Sequence, residues 1–346
     1  MLSQNLGHEL LTTSICEFLE KNLNSNQFFV QQLAGDASAR RYFRIILNQQ
    51  TYVLMWWEPF TAATYPFLSV LHHFKKSNVT VPEVIALAPE LGVILLEDLG
   101  DLTLERKFWE SSQQEASWPF YQKALDEIIK IHTTATKLNL PTTAKDIQFD
   151  TAKFLWEMNY AKEHLIEGVL KVTLTEGQKT ELQKIFTDFC EKLHHEPKVI
   201  CHRDYHSRNL MLKLNKMYVI DFQDARMGPV QYDLVSLIKD SYVDISDQYA
   251  EQMLNYYFEK TTFLQDQNKS QDQFFYTYEL QSVQRCFKAS GSFASFMNMR
   301  NDRRYLKYLT PTLKKVMRSL AHFPEYKLLL NILIDAGAFE KNYEQM

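Results

Sequence analysis

The chain has 346 residues and carries 38 lysines and arginines against 42 aspartates and glutamates, a net charge of −4. That balance supplies no global basic field for nucleic acid or anionic membrane, and the length suffices for one large domain or two ordinary ones. Its nine glycines, at positions 7, 35, 92, 100, 168, 177, 228, 291 and 337, are never closer than eight residues. Neither G-x-G-x-x-G nor G-x-x-x-x-G-K-[ST] can therefore occur, which excludes Rossmann and Walker A nucleotide sites. Four scattered cysteines (Cys16, Cys190, Cys201, Cys286) form no C-x-x-C pair and no zinc spacing, which suits a reducing compartment. The first twenty residues lack a signal-peptide layout, and no run approaches the roughly 20 apolar residues of a membrane span. A cytoplasmic protein with no nucleic-acid or membrane partner is expected.

In chain order, residues 10–22 have helical apolar spacing through Leu10, Leu11, Ile15, Phe18 and Leu19. Three β-rich runs follow at 28–33, 42–47 and 51–57, parted by the turn-like Gly35-Asp36-Ala37-Ser38 and Asn48-Gln49-Gln50. A helix is predicted over 64–76, then strands at 83–87 and 93–97 joined through Pro89 and Gly92. Five strands with a helix after the third predict a compact antiparallel layer. Beyond Leu99-Gly100-Asp101 the pattern turns helical, at 118–138, 151–164 and 175–194, with a β island at 198–201, 210–214 and 217–220. Helices resume at Tyr232 and continue to the end, and the polar stretch 265–273 reads as a solvated loop. The organisation predicted is α+β, with a small five-stranded β lobe (1–100), a hinge near 96–101 and a larger helical lobe (101–346).

The β island contains His202-Arg203-Asp204-Tyr205-His206-Ser207-Arg208-Asn209, and Asp221-Phe222-Gln223 begins twelve residues after Asn209. Phosphoryl transfer from a magnesium nucleotide needs this set of groups. One carboxylate accepts the proton of the attacking hydroxyl, while an amide oxygen and a second carboxylate hold the metal. Asp204 fits the base, and Asn209 and Asp221 fit the ligands. His202 and His206 also make H-x-x-x-H, but a zincin needs Glu after the first His and a helix beneath both. His202 reads instead as a loop anchor bonded to backbone, and Arg203 and Arg208 read either as ordinary surface charges or as counter-charges for the loop carboxylates.

These residues, with IDFQDA at 220–225 and YDLVSLIKD at 232–240, resemble the aminoglycoside phosphotransferase family of kinase-fold enzymes. GDASARRYFR at 35–44, LLEDLG at 95–100 and MRND at 299–302 are similar to one branch, the anomeric kinases of N-acetylmuramate and N-acetylglucosamine in cell-wall recycling. The resemblance spans about 33–313 and implies a bilobal, protein-kinase-like fold using ATP and Mg²⁺. It makes Asp204 the base and Asn209 and Asp221 the magnesium ligands. Gly35, Asp36, Ala37 and Ser38 become the phosphate loop, and Glu97, Asp98 and Leu99 the backbone strip beside adenine. Asp233 becomes a buried brace for the catalytic loop. Asp204, Arg208, Asp224 and Arg300 are the candidate acceptor contacts.

The chain departs from the family pattern at one point. Met55 stands where the third strand should present a lysine, and no acid lies between Glu58 and Glu83 to partner one. The pair is missing as a unit, and Arg41 or Arg44 is expected to replace it. A basic late segment (Arg300, Arg303, Arg304, Lys307), with Arg285 and Lys288 on a nearby helix, suits an acceptor bearing a carboxylate. The leading expectation is a sugar 1-kinase acting on a small molecule. The alternatives are a phosphotransferase of the aminoglycoside or choline type and a nucleotide-binding pseudokinase.

Overall fold

The computed structural model describes residues 7–33 and 40–346. The first lobe is one antiparallel sheet in the order β1-β2-β3-β5-β4, built from Phe29–Gln32 (β1), Arg41–Leu47 (β2), Gln50–Trp56 (β3), Val84–Ala88 (β4) and Val93–Glu97 (β5). Alternation along the strands sends two apolar sets to opposite faces. Phe43, Ile45, Leu54, Val93 and Leu95 pack outward against Ile15 and Leu19 of α1 (Thr13–Leu23), while Met55, Ile94 and Leu96 join the main core that runs through the helical lobe. Helix α2 (Pro66–Lys76) supplies Phe67, Val70 and Phe74 to that same main core, starting at a proline whose missing N–H costs nothing in the first turn. One sheet face thus belongs to the small lobe alone, and the other is fused to what lies beneath it.

The second lobe is helical: α3 (Leu104–Glu110), α4 (Trp118–Lys130), α5 (Thr143–Asp146), α6 (Thr151–Ala161), α7 (Glu176–His194), α8 (Gln231–Ile238), α9 (Asp247–Lys260), α10 (Thr262–Asp266), α11 (Gln271–Arg300), α12 (Leu309–Leu320) and α13 (Lys327–Asp335). π-Helical turns at Ile131–Ala135 and Lys162–Val169 prolong α4 and α6. The β island is present as Lys198–Cys201 (β6), Leu210–Lys213 (β7) and Lys216–Val219 (β8), with a fourth strand, Arg226–Pro229 (β9), pairing with β6. A four-residue run holding Gly228 and Pro229 reads as a turn, so β9 is invisible in the sequence pattern.

The stretch 265–273 is not the simple loop its polarity suggests. α10 ends at Asp266 and α11 starts at Gln271, where Ser270 and Gln273 form a reciprocal capping box. Polar residues there serve as helix ends. α11 is the longest element, and its position depends on Gly291. A β-carbon added there would stand 2.3 Å from the Ala161 α-carbon, so only glycine lets α11 cross α6 this closely. That crossing sets α11 beside the catalytic loop.

Candidate active site

The loop between β6 and β7 carries the predicted base and is braced from below. Asp233, wholly buried in the first turn of α8, accepts the backbone N–H of His202 at 2.7 Å and of Arg203 at 2.9 Å. His202 Nε2 bonds the Ile220 carbonyl at 2.8 Å, which ties the loop to the segment entering Asp221. Arg203 and Asp221 both hold positive φ, 84° and 63°, a conformation that L-residues adopt only when surroundings impose it. The braces supply that imposition. The two histidines diverge: His202 faces backbone, while His206 packs edge-on against Tyr242.

Asn209 donates its amide N–H to the Asp204 carbonyl at 2.9 Å and lies 3.4 Å from Asp221 Oδ2. The amide nitrogen is the atom that faces both, so the amide oxygen stays available, and with the Asp221 carboxylate it can supply the hard-oxygen ligands that magnesium takes. Gln223, two residues on, donates to Asp221 Oδ1 at 2.8 Å and orients that carboxylate. The pattern D-F-Q contains this residue, but only the turn geometry reveals its use.

Asp204 stands among cations. Arg285 Nη2 of α11 donates to Oδ1 at 3.2 Å, and Arg203 Nε lies 3.9 Å from Oδ2. Burial alone would raise the Asp204 pKa, but Lys288, Arg203 and Arg285 outweigh it and hold the carboxyl well below its ordinary range. The side chain keeps 29% of its surface open, so solvent damps part of this effect. Arg285 is anchored in turn by donating to Ser236 Oγ at 3.1 Å. A cavity of about 290 Å³ opens on Asp204, Asn209 and Asp221 and is also lined by Arg285, Lys288, Phe293, Phe296 and Tyr305.

Other predicted residues lie around this centre. Arg208 lines the cavity, donates to Glu105 at 2.8 and 2.9 Å and to the Tyr308 hydroxyl at 2.8 Å, and stacks 3.7 Å over Tyr242. Arg300 ends α11, exposed, 5.5 Å over the ring of Phe296, a lining residue, and does not itself line the cavity. Asp224 is outside the cavity, paired with Arg203 Nη1 at 3.3 Å. There it balances a loop arginine. Gly35, Asp36, Ala37 and Ser38 lie outside the described residues.

At the hinge, the Asp98 carboxylate is buried and accepts both Arg44 Nε at 2.6 Å and the Gly100 N–H at 2.8 Å. Lys213 of β7 donates to Glu97 Oε1 at 2.7 Å and to the Asp98 carbonyl at 2.8 Å, coupling the β island to the hinge. Leu99 follows, itself buried. Lys213 has no sequence signal beyond a charge at a strand end.

Neither arginine expected to replace the strand lysine is disposed to do so. Arg41 lies on the outer face, 3.6 Å over the Trp56 ring. Arg44 is engaged by two acids, donating to Asp98 and, at 2.8 and 3.2 Å, to Asp101. Met55 itself is 1% exposed within the main core. Met55→Lys should therefore not restore a phosphate contact. It should destabilise the fold by about 3–5 kcal/mol, because the ammonium would be buried with no partner on α2. Urea denaturation reads this out, and stability equal to the parent would mean that the ammonium reaches the cleft.

With this geometry, residues 30–267 match the phosphotransferase enzyme family. The chain belongs to that family. It is 30% identical over 312 residues to the N-acetylmuramate/N-acetylglucosamine kinase of Neisseria meningitidis serogroup B, covering 87% of this chain and 90% of that protein. The kinase of the same description from Pseudomonas aeruginosa is also 30% identical, over 301 residues, 87% of this chain and 86% of that one. Among solved structures, the gentamicin complex of APH(2")-IIa superposes with a TM-score of 0.57 at 16% identity, covering 92% and 98% of the two chains. A choline/ethanolamine kinase family protein from Mesorhizobium loti gives 0.58 at 15% identity, with the same coverage. These neighbours establish the bilobal kinase-like fold, and the curated relatives make this phosphotransferase a kinase. No described helix is long and apolar enough to cross a membrane.

Proposed function

We propose that this kinase transfers the γ-phosphoryl group of ATP to the anomeric hydroxyl of N-acetylmuramate or N-acetylglucosamine. The observation that carries the acceptor is the cavity beside Asp204, whose lining combines Arg285 and Lys288 with Phe293, Phe296 and Tyr305. Aromatic faces suit a sugar ring, and the paired cations suit the lactyl carboxylate of N-acetylmuramate. A polycationic aminoglycoside or choline would meet like charge there, and the coexistence of Asp204, Asn209 and Asp221 argues for turnover over mere nucleotide sensing.

Asp204 accepts the O1 proton as O1 bonds to the γ-phosphorus and the bond to the β–γ bridging oxygen breaks. A carboxylate held so firmly ionised is a weak base, and it is matched to a hemiacetal hydroxyl, which is more acidic than an ordinary alcohol. Asn209 and Asp221 would hold Mg²⁺, which neutralises charge on the phosphates when bound. A coupled ADP-release assay across both sugars, choline and an aminoglycoside tests the reading, with NMR assignment of the phosphorylated carbon. Turnover confined to choline or the aminoglycoside would overturn it.

Lys288 adds a pH signature. Burial and the adjacent Arg285 push it down to about 8, against the opposing pull of Asp204 and Glu157, with Arg203 nearby adding to the depression. The ammonium is charged below that pH and loses its proton above it, so its attraction for a carboxylate is lost as pH rises. Between pH 7 and 9 the KM for N-acetylmuramate should climb about tenfold, the size of one charged hydrogen bond, while that for neutral N-acetylglucosamine stays level. Identical pH profiles for the two sugars would remove Lys288 from carboxylate recognition.

A further inference from the structure

A base takes a proton productively only when the acceptor hydroxyl is held at one place beside it. The catalytic loop is gripped from both ends of a single helix. Asp233, in the first turn of α8, holds the N–H groups of His202 and Arg203, and Asp240, just beyond the last turn, accepts the Ser207 N–H at 2.8 Å through Oδ2. The other oxygen, Oδ1, accepts the Tyr242 N–H at 2.8 Å, and the Asp240 carboxylate is buried. One side chain therefore ties Tyr242 to the loop that carries Asp204. Tyr242 lines the same cavity as Asp204. Its ring is fixed by Arg208, 3.7 Å over it, and by His206 and Tyr308, which meet it nearly at right angles with centroids 5.2 and 4.9 Å away. Its carbonyl accepts the Trp109 indole N–H at 3.2 Å. The phenol hydroxyl alone has no hydrogen-bond partner among the described residues.

We propose that Tyr242 is an acceptor-binding residue that donates its hydroxyl to an oxygen of the sugar, and that Asp240 is the positioning residue that sets its place relative to Asp204. A tyrosine with its ring packed and its backbone bonded ordinarily finds a partner for its hydroxyl as well, and in this cavity a sugar oxygen supplies one. Burial pushes the Tyr242 phenol pKa up against the pull of Arg208, so the hydroxyl keeps its proton and acts as donor. A sugar held there also fills the space from which water would attack the γ-phosphorus. When it is held loosely, a water oxygen bonds to the γ-phosphorus as the bond to the β–γ bridging oxygen breaks. Its proton passes to Asp204, and ADP and inorganic phosphate leave in place of the sugar phosphate.

The inference rests on the sugar-kinase reading, and its test separates the two. Two products are counted in one reaction of the full chain with Mg²⁺, ATP and N-acetylglucosamine or N-acetylmuramate: ADP by a coupled assay and sugar phosphate by mass spectrometry. Tyr242→Phe keeps the ring in its packing and removes only the hydroxyl. It should raise the acceptor KM about 3- to 10-fold, the worth of one neutral hydrogen bond, with the KM for ATP unaltered. Asp240→Asn keeps one acceptor oxygen and opposes the second N–H with its NH₂. It should lower kcat about 10- to 100-fold, the cost of a small misplacement, and release more ADP than sugar phosphate while the affinity for AMP-PNP holds. An acceptor KM unchanged in Tyr242→Phe overturns the contact, as does an equal rise in both KM values, which would mark a structural role. Equal amounts of the two products in Asp240→Asn overturn the positioning role, because a fold merely weakened loses both in step. If the parent chain phosphorylates neither sugar, the sugar reading falls in the parent and this one with it.

Discussion

Asp204→Asn should lower kcat by about 10²–10⁴-fold, the range a positioned general base contributes. The substitution keeps the shape of the side chain and its place opposite Arg285, so the change tests proton acceptance. Two features make the result informative. Asp204 is the shared anion of Arg285, Arg203 and Lys288, and neutralising it leaves these cations facing one another. Some loss of stability is therefore expected beside the loss of rate, and thermal melting must accompany the assay. The chemistry predicts a split: nucleotide affinity held, turnover lost. Retained turnover in a folded variant would make Asp204 a positioning anion and move the base elsewhere.

How far the sequence carries depends on the sequence distance over which each part is determined. The catalytic segment is local, since Asp204, Asn209 and Asp221 sit within eighteen positions and two short strands bring them together. The antiparallel sheet is legible for the same reason: alternation and turn residues act between neighbours. The charge network is not local. Arg44 meets Asp98 across 54 positions, and Arg285 meets Asp204 across 81. Nothing in periodicity predicts that Arg44 will be drawn to the hinge. One distant signal was nevertheless available. Arg285 and Lys288 stand three apart on α11 between Val283, Cys286, Phe287 and Ala289, in a stretch that also holds Gln284 and Ser290. Charges three apart on one helix face imply anions brought from elsewhere, and Asp204, paired with Arg285, is one of them. Glycine scarcity also changes its meaning: beyond excluding common nucleotide loops, it isolates Gly291 as the position where a helix crossing requires the smallest residue.

Asp233→Ala should be the most destabilising single change near the site, at about 3–5 kcal/mol. The carboxylate is buried at 0% exposure and accepts two backbone N–H groups, from His202 and Arg203, while His132 Nε2 lies 3.2 Å away. Alanine would leave both N–H donors unpaired in an interior that excludes water, and each orphan carries its own desolvation cost. The imidazole of His132 would keep only its contact with the Tyr257 hydroxyl at 2.7 Å. The consequence reaches the chemistry through one dihedral. Arg203 holds φ at 84° because Asp233 pins its N–H, and Asp204 follows immediately. Releasing that pin lets the loop relax and carries the base away from Asn209 and Asp221. Asp233→Asn separates the two effects, because its amide oxygen can still accept one N–H while its NH₂ opposes the other. It should fold with a smaller loss of stability yet keep much of the kcat deficit. Chemical denaturation together with kcat for the two variants decides the matter: if Asp233→Asn recovers stability and kcat in the same proportion, Asp233 supports the fold alone and does not set the position of the base.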